Sequence, residues 1–179
     1  MKTVISALVA TMLLGLPLVG QEAPPNAPKF VKSVKAPGVD VRYLDFRWDE
    51  EAFATLEKGG THPAGRRSWV LARLLLQEAP LHWGGRTIPV GPSLLVLNPA
   101  KGGAPPTLEL REVDMRDIFV DMNVVAEPPE GRTYQKAPAA FKKVASTAGL
   151  LEVTLQDKTH SLDLAVHYGD RVATITLTR

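Results

Sequence analysis

The sequence predicts an all-β protein, an antiparallel β-sandwich with one short helix. Three observations predict it. Short segments of alternating apolar and polar residues recur along the chain. Fifteen prolines and 14 glycines punctuate them at strand-and-turn spacing. No strand–helix–strand rhythm appears, which disfavours doubly wound and α/β-barrel architectures.

Residues 1–20 read as an export signal. Lys2 supplies a positive start, Val4 to Leu16 carry no charge, Pro17 breaks the run, and Leu18-Val19-Gly20 offers a small residue before Gln21. The apolar run is short for a bilayer, which needs roughly 20 such residues, so no membrane span is expected after cleavage. Residues 21–29, with three prolines and no aromatic, read as an extended tether. Residues 30–179 then form one domain. Periplasm and extracellular space both fit the signal.

The first strand candidate is Val39 to Trp48, which alternates with one mixed face. Asp49 to Lys58 carries the one good helix signal. Asp49 is a capping residue, Glu50 and Glu51 suit the positive helix start, Phe53 and Leu56 are three apart, and Gly59-Gly60 ends it. Ser68 to Leu76 (SWVLARLLL) fits helix or strand by composition; its shortness and flanking Gly and Pro favour strand. Thr87 to Val90 and Ser93 to Asn98 are short strands around Gly91-Pro92. Thr107 to Val113 and Ile118 to Val125 follow. Pro138 to Ala145 reads as one or two helical turns. Leu151 to Leu155 and Leu162 to Val166 alternate as closing strands, and Gly169-Asp170 turns the chain into Val172 to Thr178.

Composition limits the function. The 21 basic and 19 acidic residues nearly cancel; losing Lys2 with the signal leaves 20 against 19, a net +1. That gives no electrostatic basis for a nucleic-acid or anionic-membrane protein. With no cysteine, disulfides, thiolate metal sites and lipid attachment at a cleavage-site cysteine are excluded. An exported chain of this kind holds its fold by core burial alone.

Three groups of residues have the chemistry for a site. Asp163 and His167, four apart on one strand face, offer a metal pair or an oriented base, with His160 nearby. Asp114, Asp117 and Asp121, with Glu109 and Glu112, offer oxygen ligands for calcium. Each pattern is equally that of a solvated polar face, with Arg111 and Arg116 placed to pair the acids. Third, Trp83, with His82 beside it in the loop HWGG, is the best candidate for a sugar-stacking or ligand-binding position, against ordinary packing of a large aromatic. No zinc motif, no serine-nucleophile elbow and no phosphate-cradling loop is present.

From His62 onward the chain resembles a secreted bacterial family known as domain of unknown function twenty-nine-eleven. The resemblance rests on Gly85-Arg86-Thr87-Ile88-Pro89-Val90-Gly91 followed by a strand ending at Asn98-Pro99, on Gly65 to Ala72, and on the closing hairpin Leu162 to Leu177. The chain departs from the family's pattern in the order Arg66-Arg67-Ser68-Trp69 and in having Pro92 where a tyrosine is usual. The family implies a secreted β-rich domain and supplies no catalytic residue.

The expected function is therefore non-catalytic binding of a small ligand, a glycan or an envelope protein, with no cofactor. Two alternatives stand beside it. One is a metal-dependent hydrolase using calcium or zinc, with His160, Asp163 and His167 and the nearby acids. The other is a carbohydrate-binding module.

Overall fold

Alternation becomes two antiparallel sheets in the computed structural model, which describes residues 30–45, 47–60, 68–113 and 131–179. The strands are β1 Phe30–Ala36, β2 Val39–Leu44, β3 Trp69–Leu76, β4 Leu81–Trp83, β5 Arg86–Ile88, β6 Gly91–Asn98, β7 Thr107–Glu112, β8 Thr133–Pro138, β9 Lys142–Lys158 and β10 Ser161–Thr178. The single helix, α1, spans Glu50–Glu57. One sheet has the order β1-β2-β3-β6-β7-β8 and the other β5-β4-β10-β9. The expected all-β sandwich with one short helix is the fold observed. Among the described residues, no helix is long and apolar enough to cross a membrane.

Several expectations lie outside the described residues: the signal at 1–20, the tether at 21–29, the strand Ile118 to Val125, and the acids Asp114, Asp117 and Asp121.

The core lies between the sheets. Cross-strand neighbours Val41 and Leu74, Leu95 and Leu110, and Leu97 and Leu108 share the inner face of the larger sheet. Leu162, Leu164, Val166, Ile175 and Leu177 are the buried side of β10. A fully buried side chain of this size is worth about 1.5–3 kcal/mol relative to leaving it in water. With no cysteine in the chain, this burial is the main source of stability.

Helix α1 forms where the sequence places it. The Ala52 N–H donates to Asp49 Oδ1 at 2.9 Å, and Glu50 and Glu51 occupy the first turn. It ends in a Schellman motif: Gly59 N–H donates to the Leu56 carbonyl at 3.1 Å and Gly60 N–H to that of Thr55 at 2.8 Å. Gly59 has φ +80°, and a Cβ there would lie 2.6 Å from the Ala100 carbonyl oxygen. Both facts demand glycine.

Within Ser68 to Leu76, Trp69–Leu76 is strand β3, as expected, but its faces differ from simple alternation. The pairing of β3 with β6 slips between Val70 and Ala72, leaving Leu71 as the extra residue of a bulge. The slip puts Trp69 on the inner face, where its ring meets Tyr168 edge-on at 5.9 Å.

The segment Pro138 to Ala145, expected to be helical, is extended instead. It comprises the end of β8, a short link and the start of β9. Ala139 N–H donates to the Pro106 carbonyl at 2.8 Å, and Lys142 and Lys143 pair with Val172 and Arg171. Long-range pairing has overridden the local preference of Ala and Lys for helix. Gly91-Pro92, expected to separate two strands, instead opens β6. The strand expected over Val39 to Trp48 ends at Leu44.

Strand β10 doubles back. Thr176 Oγ1 donates to Asp163 Oδ1 at 2.7 Å and Arg179 N–H to the His160 carbonyl at 3.0 Å. A straight strand would hold Asp163 and Thr176 about 43 Å apart. The reversal falls at Gly169-Asp170, as expected from the sequence, with Gly169 at φ +63°. The strand runs unbroken through the bend because β9 pairs on both sides of it, at His167 and at Arg171. The returning half pairs with β4 at Thr178↔His82.

Candidate functional site

The two sheets meet along the edge where β5 and β8 lie side by side. Gln135 Nε2 donates to the Trp83 carbonyl at 3.2 Å across this seam. The hairpin of β4 and β5 forms because Gly84 and Gly85 both adopt positive φ, +54° and +78°, between two short strands. It points Arg86 and Thr87 outward on one side of the seam, while Arg132 to Lys136 form the other. Between them lies an open groove of about 610 Å³.

Its charge is one-sided. Arg86, Arg132 and Lys136 line the groove, and no carboxylate does so among the described residues. All three cations are exposed, and none forms an ion pair with another described residue. Arg132 and Lys136 stand about 13 Å apart at the rise of an extended chain. Like charges that share one concave surface, with no carboxylate lining it among the described residues, focus a positive potential there. Thr87, Thr133, Tyr134 and Gln135 add hydrogen-bonding groups. Burial, and then Glu112, push the Tyr134 hydroxyl above its ordinary pKa, so it stays a neutral donor at physiological pH.

The wall carrying Thr133 is fixed from behind by Glu109, which is 3% exposed. Its carboxylate accepts from Thr133 Oγ1 at 2.7 Å, Arg111 Nε at 2.8 Å and Asn98 Nδ2 at 3.0 Å. Asn98 Oδ1 in turn accepts from Ser68 Oγ at 2.7 Å. Burial alone would raise the Glu109 carboxyl, but the hydrogen bonds from Arg111, Thr133 and Asn98, with the Arg111 charge, outweigh it and hold the pKa below its ordinary value. A carboxylate held by three hydrogen bonds is a structural anchor joining β6, β7 and β8.

The residues singled out in the sequence are scattered. His82, on β4, lies behind the groove with Nδ1 3.4 Å from Thr87 Oγ1. The Trp83 ring is only 8% exposed and belongs to the core, so it offers no open stacking face. Asp163 takes up Lys158 and Thr176; these two hydrogen bonds, Lys158 first, hold its pKa low. His167 faces Glu152, with Nδ1 3.8 Å from Oε2. Four residues apart on one straight stretch of strand, Asp163 and His167 are about 13 Å apart, too far to share an ion. His160 sits in the turn between β9 and β10. Among the described residues, no group of three His, Asp or Glu side chains is placed to share a metal.

Sequence reading singled out His82 and Trp83 in this hairpin, whereas Arg86 and Thr87 are its residues that line the groove. Arg132 and Lys136 carried no motif, and nothing in the sequence singled out Arg86 for its charge. The available signal was a polar segment, Thr133 to Lys136, without apolar alternation. No protein-family model, curated protein or solved structure matches this chain.

Proposed function

We propose that this chain is an exported, non-catalytic binding protein of the periplasm or cell envelope that takes an anionic ligand or partner in the β5–β8 groove. One observation carries the reading: Arg86, Arg132 and Lys136 surround one open groove with no counter-charge lining it among the described residues. An anion entering the groove relieves the repulsion among them and gains hydroxyl donors from Thr87 and Tyr134. The export signal at residues 1–20 supports the location, and the resemblance to domain of unknown function twenty-nine-eleven agrees with a secreted β-rich domain. Gly85, Arg86 and Thr87, the start of the segment that resembles the family, form one wall of the groove.

The test is calorimetric titration with mono- and polyanionic ligands and neutral sugars, on the wild type and on Arg86→Gln/Arg132→Gln/Lys136→Gln. Anion binding that weakens with salt and disappears in the triple variant is the expected result. Anion binding unaffected by these substitutions sinks the assignment to this groove.

A further inference from the structure

The basic groove does not end at Lys136. Lys136 also lines a second groove of about 440 Å³, together with Ser68, Asn98 and Lys101. That groove shares Gly59, Ala100 and Lys101 with a third, of about 430 Å³, which adds Lys58. Each depression therefore shares lining residues with the next. Along them stand five cations, Arg86, Arg132, Lys136, Lys101 and Lys58, all exposed, against a single lining carboxylate, Glu57. The chain as a whole is nearly neutral, so this is a local concentration of positive charge.

We infer that this track is a binding site for an extended acidic polysaccharide, one bearing carboxylates on successive sugar units. The inference rests on the groove reading above and deepens it by naming the ligand class. A small anion would need only the first groove; a continuous run of spaced cations matches repeated negative charge. The groups between the cations favour a sugar polymer. Polar groups of Thr87, Tyr134, Ser68 and Asn98 line the same grooves as the charges and suit hydroxyl-rich rings. A single-stranded nucleic acid would want several aromatic faces for stacking. Tyr134 is the one aromatic residue lining the track among the described residues. An anionic bilayer would want exposed apolar side chains to insert. Among the described residues only Val90, 49% exposed, is large, apolar and open to solvent.

The experiment measures affinity for a tri-uronide, a long polyuronide, neutral dextran, oligodeoxythymidine and phosphatidylglycerol vesicles. The long polyuronide binds tightest, and its affinity falls with salt. Lys58→Gln/Lys101→Gln weakens the long polymer by roughly tenfold, taking up to about fivefold per exposed cation, and leaves the tri-uronide unchanged. Arg86→Gln/Arg132→Gln/Lys136→Gln weakens both. Equal affinity for short and long uronides overturns the track. So does a Lys58→Gln/Lys101→Gln variant that still prefers the long chain, or binding of dextran, oligonucleotide or vesicles as tight as that of polyuronide. In those cases the groove reading survives if the triple variant still loses anion binding, and falls with the track if it does not.

Discussion

At the helix end of the sandwich, rings close on one another. Trp48 meets Tyr168 edge-on at 4.8 Å and Phe53 at 5.5 Å, and Phe53 meets Phe141 edge-on at 5.2 Å. Within this cluster the Tyr168 hydroxyl donates to the Arg47 carbonyl at 2.6 Å, and burial pushes its pKa up to about 12. Along the β5–β8 seam the reverse holds. Arg86, Arg132 and Lys136 stand open to solvent without ion-pair partners among the described residues. The first region has satisfied its chemistry internally and has nothing left to offer a ligand. The second holds three cations with no ion-pair partner among the described residues, at little cost because water solvates them. Substitutions should therefore separate stability from binding.

The largest effect is expected at Gly169. Its φ is +63°, and a Cβ there would overlap the Trp48 ring. Gly169→Ala should cost about 2–4 kcal/mol in denaturant unfolding, through backbone strain and displacement of the ring. Wild-type stability in that variant would show that the aromatic end tolerates repacking and break the contrast at its firm side.

Glu109 comes next, because it braces the seam from within. Glu109→Ala strips the acceptor from Thr133, Asn98 and Arg111 Nε and should cost about 2–4 kcal/mol. Its pKa is depressed in the folded state, so its contribution is complete above the ordinary value of 4.5 and is lost as pH falls through the lower folded value. Glu109→Gln should accordingly lose less stability than wild type between neutral pH and strong acid. An identical acid-side slope in the two proteins would remove Glu109 as the anchor.

Asp49→Ala, which leaves the Ala52 N–H uncapped, should cost about 1 kcal/mol by the same measurement. The smallest effect on stability belongs to the groove variant Arg86→Gln/Arg132→Gln/Lys136→Gln. Each exposed substitution should fall within about 0.5 kcal/mol, while binding is lost. A large destabilisation would mean that the cations are structural, and the contrast between the two regions would collapse.

How much was legible depended on how local the cause was. Helix α1 was readable to its caps, since Asp49, Glu50, Glu51 and Gly59 act within a few residues of one another. The turn at Gly169-Asp170 was readable for the same reason. The extended start of β9 was not. Lys142 and Lys143 are strand because Val172 and Arg171, remote in sequence, pair with them. Strands β1, β4 and β8 were also missed; β4 is three residues long, and β8 is polar throughout its exposed face. Trp83 looked like a platform because its neighbours are glycines, yet the β4–β5 hairpin turns its ring into the core.

The groove was the least legible feature. Arg86 lies in a hairpin, Arg132 just precedes the distant strand β8 and Lys136 lies within it, and no spacing rule connects them. What the sequence by itself determined was the material: alternation enough for two sheets, one capped helix, glycines at the turns, and no cysteine to share the work of the core. The tertiary structure alone decided which strands became neighbours across the seam. Pairing between remote strands is selected by burial of the whole inner face, and the exposed cations are carried along by that choice. A fold determined by its buried side thus placed charges on its open side that no local pattern in the chain announces.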